Sequence, residues 1–436
     1  MADGAHHQHD HSDVACTVCG CVCDDLRVRT AGRRVELLGP RCSLADPWFE
    51  SLNRPAAPAA TIDGREVALH AALDRAAAIL SASRNPLIFG LSRSSTAGQR
   101  AAVALAERIG ANVDTTASVC HGPSIMAIQQ VGECTSSLGE VRNRADLVIF
   151  WGADPATSHP RHFERYSVAA PGRDVPRGRR DRTVVVIDVK ETATARLADE
   201  FIRIEPGRDF ELIWTLRQLI RGGHLADESR PAIPLAVSRR LAERMKSCRY
   251  GAVFFGLGLA QSGLGHLNVD ALLRLVAELN DHTRFAARRL RIPGDVTGAD
   301  SVLCWQTGYP FAVNLSRPYP RYNPGEFTAN ELLARGEVDA CLFVGSESAA
   351  DLSPRARDAL ARIPTIALDY PHVSPPFAPT VRITTAVYGV HAAGTAYRMD
   401  EIPLPLRKLA ESEHPTDQAV LGELRRRIGD SASKPS

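Results

Sequence analysis

Cys16, Cys19, Cys23 and Cys42 follow a C-x2-C-x3-C-x18-C spacing. Soft thiolate sulfur suits iron. Three closely spaced cysteines on one loop can reach three corners of an iron-sulfur cube while a fourth closes the cage. The spacing therefore points to a [4Fe-4S] cluster and to a chain that handles electrons. Structural zinc is the rival reading, but zinc ribbons carry two C-x2-C knuckles and Cys42 has no partner cysteine beside it. Cys21 lies in the same run, as a spare thiol or an alternative ligand. Cys120 stands in SVCHGPS at 118–124, with His121 beside it and an apolar helical run behind it. A thiolate at a turn before a helix is stabilised by the helix dipole, which suits a metal ligand or a nucleophile; a structural cysteine is the other reading. His159 and His162 form a pair on a turn after a strand, placed either to position a polar ligand or simply on the surface. Cys134, Cys248, Cys304 and Cys341 lie in apolar contexts and are expected in the core.

These residues need elements to hold them. Apolar runs at 86–90, 147–151, 183–188, 251–257, 340–344 and 365–369 read as buried strands, and 96–109, 210–221 and 269–279 as helices between them. Such alternation predicts α/β lobes with parallel sheets. The alternation at 27–38 around Ala31-Gly32 predicts a hairpin beside the cysteine loop. The stretch 304–325, rich in proline, tyrosine and glycine, reads as an ordered irregular loop. Ligands bind at strand ends in open α/β sheets, where glycine turns admit a phosphate to backbone N–H groups. Gly90, Gly152, Gly256, Gly258 and Gly345 all follow apolar strands, and Asp154, Asp188 and Asp369 could accept hydrogen bonds from a heterocycle or ribose. The bland reading is that each glycine merely closes a tight turn. Neither a GxGxxG motif nor a P-loop is present, so a plain dinucleotide or ATP site lacks its signature.

The chain has 436 residues, 44% hydrophobic and 23% charged, with a net charge of +2. That balance gives no general attraction to nucleic acid or anionic lipid, and no apolar run approaches the roughly 20 residues of a membrane span. Clustered cysteines without a signal-like start lead us to expect a cytoplasmic protein. Only four of the 52 basic residues are lysine, and none of these lies near the cysteine run. The expected layout is a His-rich disordered tail (1–13, with His6, His7, His9 and His11), a cluster-binding cap (14–60), a first α/β lobe carrying Cys120 (61–235), a second α/β lobe with pterin-facing loops (236–405), and a C-terminal helix and tail (406–436).

The motifs CTVCGCVCDD (16–25), SVCHGPS (118–124), SLGEVRNRADLVIFWGADP (137–155), HPRHFERYS (159–167), WQTGYPFAVNLSR (305–317), PRYNPGE (320–326) and GTAYRMDEIPL (394–404) run in order along nearly the whole chain. Together they resemble the B-type subunit of formylmethanofuran dehydrogenase, within the molybdopterin oxidoreductase superfamily, and its relative in the bacterial formyltransferase/hydrolase complex. The resemblance implies two Rossmann-like lobes plus a small N-terminal Fe-S cap. It implies that Cys16, Cys19, Cys23 and Cys42 hold a [4Fe-4S] cluster and that Cys120 ligates a tungsten or molybdenum bis-pterin guanine dinucleotide. His121 would be a polar catalytic group, and Arg291 falls where the family places an active-site arginine. Gly152, Asp154, Asp188, Gly256, Gly308 and Gly345 would face the cofactor. The implied chemistry is two-electron interconversion of CO2 and formate or formyl C1 units, in a complex with A-, C- and D-type subunits. Two departures are read against the family. Redox-active members carry a lysine shortly after the fourth cysteine, whereas SLADPW at 43–48 has none, and the chain reads RIPGD at 291–295 where a histidine is expected after the arginine. Both changes resemble the bacterial relatives, in which this component would be a redox-inactive scaffold.

Overall fold

Strands that bury both faces need helices on either side of the sheet, and the apolar strands of this chain assort into two sheets that do not follow chain order. The computed structural model describes residues 8–55, 57–225 and 231–432. It divides into a discontinuous unit, Met1–Val119 with Ile292–Ser436, and an inserted unit, Cys120–Arg291.

In the discontinuous unit, β1 (Gln8–Val14), β2 (Leu26–Ala31) and β3 (Arg34–Gly39) form an antiparallel meander. The expected hairpin is β2–β3. Residues 8–13 are not a loose tail, because β1 pairs with β2 from Gln8↔Ala31 onward and the His11 ring bonds Thr30 Oγ1 at 3.0 Å. His6 and His7 lie outside the described residues. Next come β4 (Ala60–Ile62), β5 (Arg65–Glu66), β6 (Pro86–Gly90) and β7 (Asn112–Thr115).

The inserted unit supplies β8 (Leu147–Trp151), β9 (Thr183–Asp188), β10 (Glu200–Arg203), β11 (Tyr250–Phe255) and β12 (Arg284–Arg289), all parallel, in the order β10-β9-β8-β11-β12. Its core packs Ile149, Trp151, Val185, Phe255 and Leu272.

On return, the chain adds β13 (Val313–Asn314), β14 (Arg321–Tyr322), β15 (Ala340–Val344), β16 (Thr365–Asp369) and β17 (Val381–Thr384), then the ribbon β18 (Gly394–Tyr397) and β19 (Pro403–Leu406). The nine-stranded sheet runs β14-β13-β7-β6-β15-β16-β17-β4-β5, parallel from β7 to β17 with antiparallel edges. Successive residues of β6 serve opposite faces, Ile88 in one core and Leu87 and Phe89 in the other, as the period-2 pleat requires.

Three expectations are corrected. The lobes are not the consecutive blocks 61–235 and 236–405: β6 pairs with β15 and β8 with β11, so each of those blocks contributes strands to both sheets. Residues 304–325 are not wholly irregular, because Val313–Asn314 and Arg321–Tyr322 extend the large sheet as edge strands. Of the four cysteines expected in the core, Cys341 alone is buried; Cys248 is half-buried, and Cys134 and Cys304 are exposed.

Candidate metal and cofactor sites

The cysteine loop belongs to the discontinuous unit. Its ends are tied by Cys16 N–H to the Cys23 carbonyl (2.8 Å), and Val22 N–H bonds the Cys19 carbonyl (3.0 Å). Val22 is held at φ 35°, a costly conformation for a β-branched residue that persists where surrounding structure enforces it. Three segments distant in sequence clamp the loop. Arg93, just after β6, donates from Nη1 to the carbonyls of Thr17 (3.2 Å) and Val18 (3.1 Å). Met399 N–H bonds the Gly20 carbonyl at 2.9 Å. Gly294 packs so tightly that an added Cβ would lie 1.9 Å from the Thr17 carbonyl oxygen.

Cys16, Cys19 and Cys23 are buried, and Cys42 is half-buried with its Sγ accepting from Ala45 N–H at 3.3 Å. Burial, and then the neighbouring Cys23, Cys19 and Cys42 sulfurs, push the Cys16 thiol well above its ordinary pKa. The sulfurs of Cys19, Cys23 and Cys42 thus lie near enough to Cys16 for each to act on its thiol. Cys21 joins them: hydrogen bonding to the Cys19 and Cys23 sulfurs, then burial, raises its thiol too. Among the described residues no three His, Cys, Asp or Glu side chains close on a point as around one ion. A tetrahedral ion would need its sulfurs about 3.8 Å apart. A four-iron cube takes one thiolate per corner and so asks for a wider cage.

In this unit's large sheet, β7 continues from β6 in one direction and β16 from β15 in the other, which makes β6/β15 the point where strand order reverses. Gly90 and Gly345 end those two strands, at φ +110° and +86°. Gly345 lies beside Arg93, and Asp369 is taken up by Ser346 N–H (2.7 Å) and Ser346 Oγ (2.8 Å). Gly308 is an exposed C-cap of the helix Val296–Thr307 at φ +87°, with open space around it, so it ends a helix where sequence reasoning placed it against a cofactor.

The inserted unit opens with Cys120 and closes with Arg291. Cys120 is half-buried, directly ahead of the helix Gly122–Val131, and its carbonyl accepts from Gln261 Nε2 at 3.2 Å. His121 is 1% exposed. Its Nε2–H donates to the Leu290 carbonyl (3.0 Å), which leaves Nδ1 to accept from Ser124 Oγ (3.0 Å). His159 does the same one residue further on, donating from Nε2 to the Arg291 carbonyl at 2.9 Å. Two buried histidines thus pin consecutive carbonyls at the exit of β12, where Arg291 is itself 2% exposed. Burial, then the Arg291 and Arg289 charges, holds His121 neutral, and burial lowers His159 to about 4. His162 is buried, bonded through Nδ1 to Ser167 Oγ (2.8 Å), and sits at the start of a π turn, Phe163–Ser167. The surface reading of His159 and His162 is therefore wrong.

Here too the strand order reverses, between β8 and β11, whose ends carry Gly152 and Gly256. These glycines first serve each other. A Cβ on Gly152, at φ +55°, would lie 2.7 Å from Leu259 N, and one on Gly256 would lie 2.6 Å from the Gly152 oxygen. Asp154 is half-buried and accepts from Thr194 N–H (2.9 Å) and Thr157 Oγ1 (2.7 Å); burial works to raise its pKa, but these bonds outweigh it and leave it lowered. Asp188, ending β9, accepts from Val189 N–H at 2.7 Å and is raised by burial. Sequence reasoning missed Arg93 and Gln261; their place one turn beyond a glycine-ended strand is the signal that could have found them.

No family model matches the chain. It is 40% identical over 407 residues, 92% of this chain and 93% of the other, to the B-type subunit of the tungsten-containing formylmethanofuran dehydrogenase 2 of Methanocaldococcus jannaschii. The chain belongs to the family of formylmethanofuran dehydrogenase B-type subunits. A more distant member, the B-type subunit of the formyltransferase/hydrolase complex Fhc of Methylorubrum extorquens, is 28% identical over 66% of this chain and 75% of its own. Among solved structures, a chain of the FhcABCD formyltransferase/hydrolase complex of that bacterium, crystallised with methylofuran, superposes with a TM-score of 0.71 at 26% identity, covering 86% of this chain and all of the other. The family carries a mixed α/β fold with parallel sheets, as this chain does. Among the described residues no helix is long and apolar enough to cross a membrane.

Proposed function

We propose that this chain is the redox subunit of a formylmethanofuran dehydrogenase-type complex, interconverting CO2 and formate or formyl C1 units by two-electron chemistry, alongside A-, C- and D-type subunits in the cytoplasm. The observation that carries this reading is that three buried thiols on one clamped loop, Cys16, Cys19 and Cys23, have the half-buried Cys42 from beyond β3 close enough to act on them. Protonated thiols gain little from such crowding, and a positively charged iron cluster would relieve it by taking them as thiolates. The chemistry of the donor set fits a [4Fe-4S] cluster held by Cys16, Cys19, Cys23 and Cys42, with β1–β3 and the helix Ala45–Ser51 as its cap.

A tungsten or molybdenum bis-pterin, when bound, supplies the carbon-centred redox step. Tungsten is favoured by the name of the 40% identical relative. Cys120 fits the metal-ligand role: half-buried, at a turn ahead of a ten-residue helix whose dipole favours the thiolate. His121 has both ring nitrogens engaged, so its work is to orient the Cys120 turn and the β12 exit, and it has no nitrogen left to exchange a proton. Arg291, held in place by the His159 bond to its carbonyl, would bring a fixed positive charge to an anionic C1 substrate. Gly152, Gly256, Asp188 and Gly345 remain the strand-end candidates for the pterin. Asp154 would serve through the turn that it braces. A redox-inactive scaffold is the second reading, favoured by the absence of lysine from 43–48 and by the likeness to the hydrolase complex.

Anaerobic purification with partner subunits, followed by metal analysis, tests the proposal. Iron with tungsten or molybdenum is expected in the wild type. Cys120→Ser should lose tungsten or molybdenum while keeping iron. A wild type free of both metals would leave the scaffold.

A further inference from the structure

A cation stands against the cysteine loop, and no motif announces it. Arg93 follows Gly90 at the end of β6 and reaches the loop across the strand-reversal point of the large sheet. Its Nη1 donates to the carbonyls of Thr17 and Val18, the two residues between the ligand candidates Cys16 and Cys19. Its Nε binds Glu347 Oε1 at 3.0 Å from just beyond β15, so the pair bridges the two strands that flank the reversal. The arrangement is built. Gly345 leaves room for the arginine stem, since a Cβ there would lie 3.2 Å from Arg93 Cβ, and the Tyr370 hydroxyl donates to the Arg93 carbonyl. The Arg93 side chain is 22% exposed and that of Glu347 35%, so solvent screens the pair only in part.

The geometry points to Arg93 as the positioning residue and counter-cation of the cluster, with Glu347 setting how much of its charge the cluster feels. This inference rests on the cluster reading above. Adding an electron to a cluster makes it more negative, so a nearby fixed cation favours the reduced form and a carboxylate opposes it. Carbonyls polarised by the guanidinium also hold the Cys16–Cys19 turn in shape. No lysine lies near this loop in sequence, which leaves an arginine from the sheet to supply the charge.

The test uses the full chain, purified anaerobically with its partner subunits, with iron and acid-labile sulfide measured per chain and the cluster potential read by EPR-monitored redox titration. Arg93→Gln at wild-type iron content should disfavour the reduced form about tenfold, a fall of about 59 mV for one electron. Arg93→Lys should recover most of that loss. Glu347→Gln should move the potential the opposite way, a sign that general loosening does not produce. If Arg93→Gln fails to hold a cluster, the direction of the Glu347→Gln shift decides. An unchanged potential in Arg93→Gln at full iron, or a fall in Glu347→Gln, overturns the inference. A wild type lacking iron and sulfide removes the cluster reading itself and this inference with it, and that outcome is read before any variant is made.

Discussion

At the scale of single residues, burial decides which groups are chemically available. Cys21 lies within the ring of candidate ligands, yet its thiol bonds Cys19 and Cys23, so it reads as a support for them. Cys42→Ser should therefore abolish iron loading, and Cys21→Ser should retain most of it, as iron analysis will show. His121, His159 and His162 are buried, and burial favours their neutral forms. His159, held at about 4, binds no proton in the folded state at pH 5, whereas its unfolded counterpart with an ordinary value of 6.5 does. A depressed folded value means stability that is full above about 6.5 and is lost as pH falls towards 4. Between pH 7 and pH 5 the loss from His159 is about 2 kcal/mol. Asp114, buried and raised to about 7, opposes it, gaining stability over the same fall in pH. The check is therefore a difference: in urea titrations, the unfolding free energy of wild type minus that of His159→Gln should drop by about 2 kcal/mol from pH 7 to pH 5.

At the scale of elements, strands framed by proline, glycine and polar residues were legible: 86–90, 147–151, 183–188, 340–344 and 365–369 match β6, β8, β9, β15 and β16 at both ends, as does the helix Thr96–Ile109. Continuous apolar runs of that length are what a sheet covered on both faces demands. The two-residue edge strands β13 and β14 were not legible, because pairing to β7 creates them and their own sequence carries no period. Among the glycines expected to face a cofactor, Gly152 ends a strand and is packed on backbone, while Gly308 merely ends a helix in open space. Gly152→Ala combines a left-handed backbone with a backbone clash and should cost about 2 to 4 kcal/mol. Gly308→Ala, with the conformational term alone, should cost about 1 kcal/mol. Denaturation midpoints of the two variants measure the contrast.

At the scale of the whole molecule, one unit is inserted within the other, so the division of the chain follows strand pairing. Residues 120–291 keep all five strands β8–β12 with their core, whereas residues 61–235 take strands from both sheets and complete neither. The first fragment should unfold cooperatively by circular dichroism, and the second should show no such transition. Sequence alone determined the local and the chemical: which runs are strands, which cysteines carry ligand spacing, and, through motifs spread along the chain, which family it resembles. Those follow from periodicity and residue type, which are written in neighbouring positions. Tertiary structure decided that β6 meets β15 and β8 meets β11, that His121 and His159 are locked to carbonyls at the end of β12, and that Arg93 reaches the cysteine loop. Each of these is a contact between segments far apart in the chain. Burial of apolar faces selects such contacts, and no local pattern encodes them.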